Sequence, residues 1–426
     1  MKIQSVKIQN VKILESVNIE PRMINILVGR NNTGKTSFLE AIAIALIPGF
    51  TDKYLNQPSS IINYGKTHAE ITLKINEGPN RDVKVNLDYA SPDELVSEIL
   101  RELKDWVINR DDEFRHLSAK RDVKKIPSDL SERVDIALQS VEAILQQDLM
   151  AGKYDRIFSK DSLFFDVNDQ KTLMKGRNYL KELWKLQLQF SKVLESNSED
   201  FQLKRLVQSV MVDRDRFASR NRYTERGRMR DEDQIKNIDV HFLRDPLDNL
   251  EQLKTSTEAK ETLAKTIEDI IIDEGLIHNL IRFGFSSIVL KIGDEMVEVP
   301  IDSMGDGFKS LLSIIASIQR YQKDCVFLIE EPEVHMHPGY IQELTKYLIA
   351  LSRKLKIQLF ISTHSLDFIN SILYDDSIND EDKEFIKSEF LLLRFDKFGE
   401  TIVVESKDFD RSQEEINLLS NDLRGI

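Results

Sequence analysis

One run of eight residues constrains this chain more than any other: Gly29-Arg30-Asn31-Asn32-Thr33-Gly34-Lys35-Thr36. It matches the phosphate-loop pattern of Gly, four residues, then Gly-Lys-Ser/Thr. The apolar stretch Ile24–Val28 runs into it, and Thr36–Leu46 leaves it with helical periodicity. A strand, a glycine turn and a helix in that order wrap backbone N–H groups and the positive end of a helix around a phosphate. Lys35 is then expected to reach the β- and γ-phosphates and the Thr36 hydroxyl to bind Mg2+, with Gly29 through Ser37 forming the nucleotide-binding edge.

A phosphate loop calls for an acid elsewhere, and Val326-Phe327-Leu328-Ile329-Glu330-Glu331 supplies two. An apolar strand ending in paired carboxylates delivers them where open α/β sheets carry their chemistry. Successive strand residues point to opposite sides, so the two can differ in role. Glu330 is assigned to the magnesium and Glu331 to polarising the attacking water; the competing reading is two solvated charges after a strand. Two weaker signals follow the same logic. Ser303-Met304-Gly305-Asp306-Gly307 is a glycine turn before an apolar helix (Leu311, Leu312, Ile315, Ile318), and Phe360–Ser365 puts His364 just past a strand. Alone, the glycine turn reads as a plain turn and N-cap, and the histidine reads equally as a capping or turn residue or as a catalytic one.

The β/α alternation holds at both ends of the chain and fails in the middle. Strands are expected at Ala69–Ile75 and Val83–Leu87, and again at Ser287–Lys291, Val297–Ile301, Val326–Ile329, Gln358–Ile361, Phe390–Phe395 and Thr401–Val404. Between them, Ser91-Pro92-Asp93-Glu94 starts a helix, and the stripes Val134, Leu138, Val141, Leu145 and Leu180, Leu183, Trp184, Leu188 mark packed helical faces. The expected fold class is α/β: a mixed-sheet ATPase-like domain (residues 1–88 and 283–426) interrupted by a helical insertion (89–282).

Composition excludes several classes. With 426 residues, 41% apolar and 31% charged, the chain can bury a core beneath a charged surface. Its single cysteine, Cys325, removes intramolecular disulfides and cysteine-built zinc sites. No apolar run approaches the roughly 18–20 residues that span a bilayer, and the N-terminus alternates like a strand, so a soluble, cytoplasmic protein is expected. A net charge of −13 argues against coating nucleic acid with the whole surface, but leaves room for a local basic groove.

In this order, the phosphate loop, the glycine turn ahead of Glu-Glu-Pro-Glu-x-His-x-His-Pro, and Ser-Thr-His-Ser resemble the heads of ABC-type ATPases. The run NILVGRNNTGKTSFLEAI is similar to the branch that holds the RecF-like proteins and the overcoming-lysogenisation-defect (OLD) nucleases. The resemblance covers about residues 1–88 and 283–426. It implies ATP and Mg2+ as ligands and a homodimer in which two heads sandwich two ATPs. Each site would combine Lys35 and Glu331 of one copy with the signature turn of the other (Ser303, Gly305, Asp306 and Gly307), and His364 would contact the γ-phosphate. Three departures stand out: Glu330 occupies the usual aspartate position, Met304 the signature serine position, and no glutamine lies between Gln57 and Gln139 to serve the Q-loop. His335 and His337, beside a proline, are expected to be structural.

OLD nucleases continue into a Toprim nuclease domain, whereas about 60 residues follow His364 here, so a stand-alone ATPase with a separate effector is expected. The resemblance implies a role in repair or anti-phage defence, with a nuclease among the candidate effectors; the alternative is a slow-hydrolysing scaffold or sensor. Seven arginines between Arg214 and Arg230, with Phe217 and Tyr223 among them, read either as a solvated face with local ion pairs or as a surface for DNA or an acidic partner.

Overall fold

In the computed structural model, which describes residues 2–76, 81–91, 93–103, 138–139, 142–143, 145–147, 162–177, 179–181, 183, 185–186, 239–244, 260–273, 279–320 and 324–422, the chain forms two units. The first comprises 1–47, 70–84 and 235–426, and the second 48–69 and 85–234.

The first unit is organised around β3 (Ile24–Gly29), buried at every position, as its mostly apolar residues suit a strand covered on both faces, with the one polar side chain, Asn25, donating to Arg22 O and Leu359 O. β13 (Gln358–Ser362) and β14 (Phe390–Phe398) flank it in parallel; β12 (Val326–Glu330) and β8 (Val240–Leu243) continue the sheet in parallel beyond β13. β15 (Thr401–Lys407) closes the other edge antiparallel, giving the order β15-β14-β3-β13-β12-β8. Helix α1 (Lys35–Leu46) leaves β3, and its Phe38 packs against Phe360 and Phe395 with ring centroids 6.2 and 5.8 Å apart. Losing that ring should cost about 3–5 kcal/mol.

A second layer of the same unit contains β1 (Lys2–Val11), paired antiparallel with β2 (Leu14–Ile19) and β4 (His68–Asn76). Ile3 stays in register with Ile75, the β1–β4 ladder slips just after it, and β2 pairs with β1 only from Val6 onward, so no β2 strand meets the Ile3 backbone. The fully buried Gln358 side chain satisfies it: Oε1 accepts from Ile3 N at 2.7 Å, while Nε2 donates to Ile3 O at 3.0 Å and Arg22 O at 2.8 Å. One amide thus joins the two layers without leaving a buried polar group unmet. β5 (Arg81–Tyr89) follows β4, its first four residues in this unit and the rest in the second.

In the second unit, the remainder of β5 pairs with β6 (Ser162–Val167), which turns through Asn168 and Asp169, both with positive φ, into β7 (Gln170–Lys175). A helix over 93–103 starts at Ser91, whose backbone N donates to Glu94 Oε2 while Ser91 Oγ accepts from Glu94 N. Leu95, Val96, Ile99, Leu138, Leu145, Phe164 and Leu183 share its core. Val134, Val141, Trp184 and Leu188 lie outside the described residues, as does the segment Arg214–Arg230.

Three expectations need correction. Residues 48–69 and 85–88, expected in the ATPase-like domain, fall in the second unit. The middle of the chain is not purely helical, because β6 and β7 form a hairpin there. The stretch 235–282 also belongs to the first unit, because β8 pairs with β12 and helix α2 (Lys260–Asp273) contributes Ile267 and Ile271 to its core. An antiparallel sheet of β9 (Leu280–Phe283), β10 (Ser287–Ile292) and β11 (Glu295–Pro300) then leads into helix α3 (Asp306–Arg320). Helices α4 (Pro338–Leu355), α5 (Leu366–Leu373), α6 (Asp380–Glu389) and α7 (Phe409–Asp422) complete the unit. No described helix is long and apolar enough to cross a membrane.

Candidate nucleotide site

Three parallel strands end side by side, and each end carries a candidate group. Leu27 of β3 pairs with Ser362 of β13, which pairs with Glu330 of β12. The ladder continues one step past the strands: Thr363 N donates to Leu27 O at 3.0 Å and Glu331 N to Ser362 O at 2.9 Å. The phosphate loop, the acid pair and His364 are therefore set by backbone hydrogen bonds.

The loop itself needs glycine at its first position. Gly29 has φ +143°, and a Cβ there would lie 2.3 Å from Phe395 O on the neighbouring strand. Arg30, Asn31 and Asn32 are exposed; Thr33 and Ser37 are buried, and Thr33 Oγ1 donates to Arg30 O at 2.8 Å. Lys35 is 6% exposed, and its ammonium donates to Gly29 O at 2.8 Å and Arg30 O at 3.0 Å. An ammonium has three donors, so one remains for a ligand. Burial lowers its pKa from 10.5 to about 8, against the opposing charges of Glu331, Glu330 and Glu333. A buried cation of this kind suits an anion brought to the helix N-terminus.

Thr36 Oγ1 donates to Glu330 Oε1, so the two residues assigned to the metal are in direct contact. A hydroxyl and a carboxylate are hard oxygen ligands and fit Mg2+. Glu330 Oε2 accepts from Arg244 Nε at 3.1 Å, from the end of β8. Glu331 adopts φ +45°, a left-handed conformation that costs a non-glycine residue about 1 kcal/mol or more. Its Oε1 lies 3.5 Å from His364 Nε2. The His364 imidazole is held below its ordinary pKa by burial and by the Lys35 charge, and Glu331 opposes them.

Glu333 joins this group and was not assigned a role from the sequence. Its Oε1 accepts from Thr363 Oγ1 at 2.6 Å and from His364 N at 3.0 Å, fixing the turn that carries the histidine. Burial raises its pKa, so it favours the protonated form more than an ordinary glutamate does. Its Oε2 and the Ser362 hydroxyl are buried without hydrogen-bond partners, which suits a polar occupant at these strand ends. The single Glu331-Pro332-Glu333 spacing was the available sign for Glu333. Arg244 had none, since a four-residue strand inside a polar stretch gives little pattern.

The glycine turn stands apart from these groups. Ser303 closes a 3-10 turn, while Gly305 and Asp306 are exposed at the start of α3, with Asp306 paired to Lys309. Gly307 is buried, and a Cβ there would lie 2.5 Å from His335 O. Among the described residues, no hydrogen bond or ion pair joins these four to Lys35 or Thr36. His337 Nδ1 accepts from Gly339 N at 3.2 Å and caps α4, a structural role.

The chain belongs to the AAA ATPase domain family, which matches residues 1–369. A relative from Methanocaldococcus jannaschii, the uncharacterized protein MJECL11, is 33% identical over 122 residues, covering 29% of this chain and all of that protein. Among solved structures, the SMC head bound to the C-terminal winged-helix domain of ScpA is 10% identical, covering 97% of this chain and 100% of that one at a TM-score of 0.49. The SMC head domain of Thermotoga maritima is 9% identical, with coverages of 96% and 100% and a TM-score of 0.43. At such scores the likeness does not define the fold, which rests on the strand order itself.

Proposed function

We propose that this chain is an ATP-hydrolysing ABC-type ATPase of the RecF-like and OLD branch, working as an ATP-sandwich dimer that drives or regulates a DNA-linked repair or anti-phage defence complex. The observation that carries the reading is the meeting of Lys35, Thr36–Glu330, Glu331 and His364 at the ends of β3, β12 and β13.

Lys35 and the backbone of Gly29–Ser37 hold the phosphates. Thr36 and Glu330 hold Mg2+, which supplies charge neutralisation of the phosphate oxygens when bound. Glu331 takes a proton from the attacking water as the water's oxygen bonds to the γ-phosphorus and the bond to ADP breaks. His364, neutral at pH 7, donates or accepts a hydrogen bond at that phosphoryl group without adding charge. Phosphoryl transfer depends on positioning and electrostatics more than on covalent help, so a site lacking one wall is slow. Gly305 and Asp306, exposed and without a hydrogen bond or ion pair to Lys35, support a second copy as that wall. The arginines between Arg214 and Arg230 support DNA as a partner through charge alone.

The test is steady-state ATP turnover by the purified chain, alone and with duplex DNA, against Lys35→Ala. Turnover that rises with DNA and disappears in the variant supports the reading. ATP binding without turnover in either condition would replace it with an ATP-dependent scaffold that controls a separate effector.

A further inference from the structure

Arg244 is a charged partner of this site that the proposed chemistry does not use. Its Nε donates to Glu330 Oε2 at 3.1 Å and its Nη1 lies 3.6 Å from Glu40 Oε1. Thr36 occupies the other oxygen of Glu330. Both oxygens of the carboxylate assigned to the metal are thus engaged by protein groups, one of them a full positive charge. Arg244 is 56% exposed while Glu330 is 14% exposed, so the arginine can swing into solvent and the glutamate cannot follow. Glu40, 2% exposed, does not depend on Arg244 for neutralisation, since Lys12 pairs with its Oε2. Leaving Glu330 therefore strands no other buried charge.

Resting on the ATPase reading, we infer that Arg244 is a displaceable stand-in for the metal: it carries the positive charge at Glu330 until Mg2+ arrives, and gives up that carboxylate when the metal binds. Three features favour this over a fixed structural pair. The contact uses one Arg nitrogen rather than a two-pronged fork, the usual sign of a permanent Arg–carboxylate pair. The arginine lies just past the four-residue strand β8, and its side chain is 56% exposed. Two adjacent glutamates beside a single buried lysine also need a second cation whenever the metal is absent. Arg244 thus sets a threshold for metal binding and ties occupancy of the site to the release of an arginine at the sheet edge.

The test is Mn2+ affinity, read by electron paramagnetic resonance on the full chain with a non-hydrolysable ATP analogue, in wild type, Arg244→Ala, Arg244→Gln and Arg244→Lys. Removing a competing, half-exposed ion pair should tighten Mn2+ binding about three- to fivefold in the Ala and Gln variants, with the Lys variant near wild type. Unchanged or weaker Mn2+ binding in both neutral variants, with analogue affinity intact, overturns the stand-in role and leaves the ATPase reading standing. A wild-type chain that binds no analogue overturns both.

Discussion

The strand ends and the glycine turn use the same residue types to different ends. At the strand ends, Lys35, Thr36, Glu330, Glu331 and His364 already touch or face one another within one chain. At the turn, buried Gly307 lets α3 approach the His335 backbone, while Gly305 two residues earlier meets nothing within 4 Å. The first region is assembled within one chain, its groups brought together by three neighbouring strands. The second is a packing device followed by an exposed edge, whose proposed chemistry needs another copy. Glycine spacing alone does not separate these roles; only the neighbours of each Cα do.

The comparison can be broken at several points. The largest effect is expected for Glu331→Gln: if this side chain takes the proton, single-turnover hydrolysis falls about a thousandfold while analogue binding persists. A loss of tenfold or less would move the base elsewhere. Lys35→Ala should weaken analogue binding about a hundredfold, read by calorimetry, because a buried charge-assisted contact is removed.

The turn gives a sharper pair. Gly307→Ala forces a methyl group against a carbonyl and should destabilise the first unit by about 2 kcal/mol, seen as a lower melting temperature. Gly305→Ala should melt within about 0.5 kcal/mol of wild type yet lose ATP-dependent dimerisation in sedimentation experiments. If Gly305→Ala dimerises normally, the turn is packing throughout and the sandwich reading fails.

The smallest expected effect is protonic. With its pKa near 8, Lys35 is about half charged at pH 8, and a bound phosphate favours the charged form. Nucleotide binding should therefore take up about half a proton at pH 8 and far less at pH 6.5, and affinity should fall as pH rises through 8. Calorimetry in two buffers of different ionisation heat measures this directly; no uptake would mean that Lys35 stays fully charged.

The parts of this site legible in the sequence are those written contiguously. The loop from Gly29 to Thr36 and the strand before Glu330 announce themselves because strand, turn and helix fall within a few residues. Glu333 escaped a role because its function is defined by Thr363 and His364, thirty residues away. β8 escaped because four residues carry no period, and its membership comes from pairing with β12 across 82 intervening residues between Leu243 and Val326. The β6–β7 hairpin was readable in hindsight: Asn168-Asp169 is a two-residue turn of the kind that tolerates positive φ at both positions.

The Gln358 clamp reaches back to Ile3 across 355 residues, and β3 must find β13 and β14 over a similar distance. During synthesis at about 5–20 residues per second, the phosphate-loop strand emerges early and waits roughly 20–70 seconds for its neighbours. For that interval a largely apolar strand is without its sheet, open to other chains. Slower translation lengthens that exposure, so the speed of synthesis bears on how safely the finished sheet is reached.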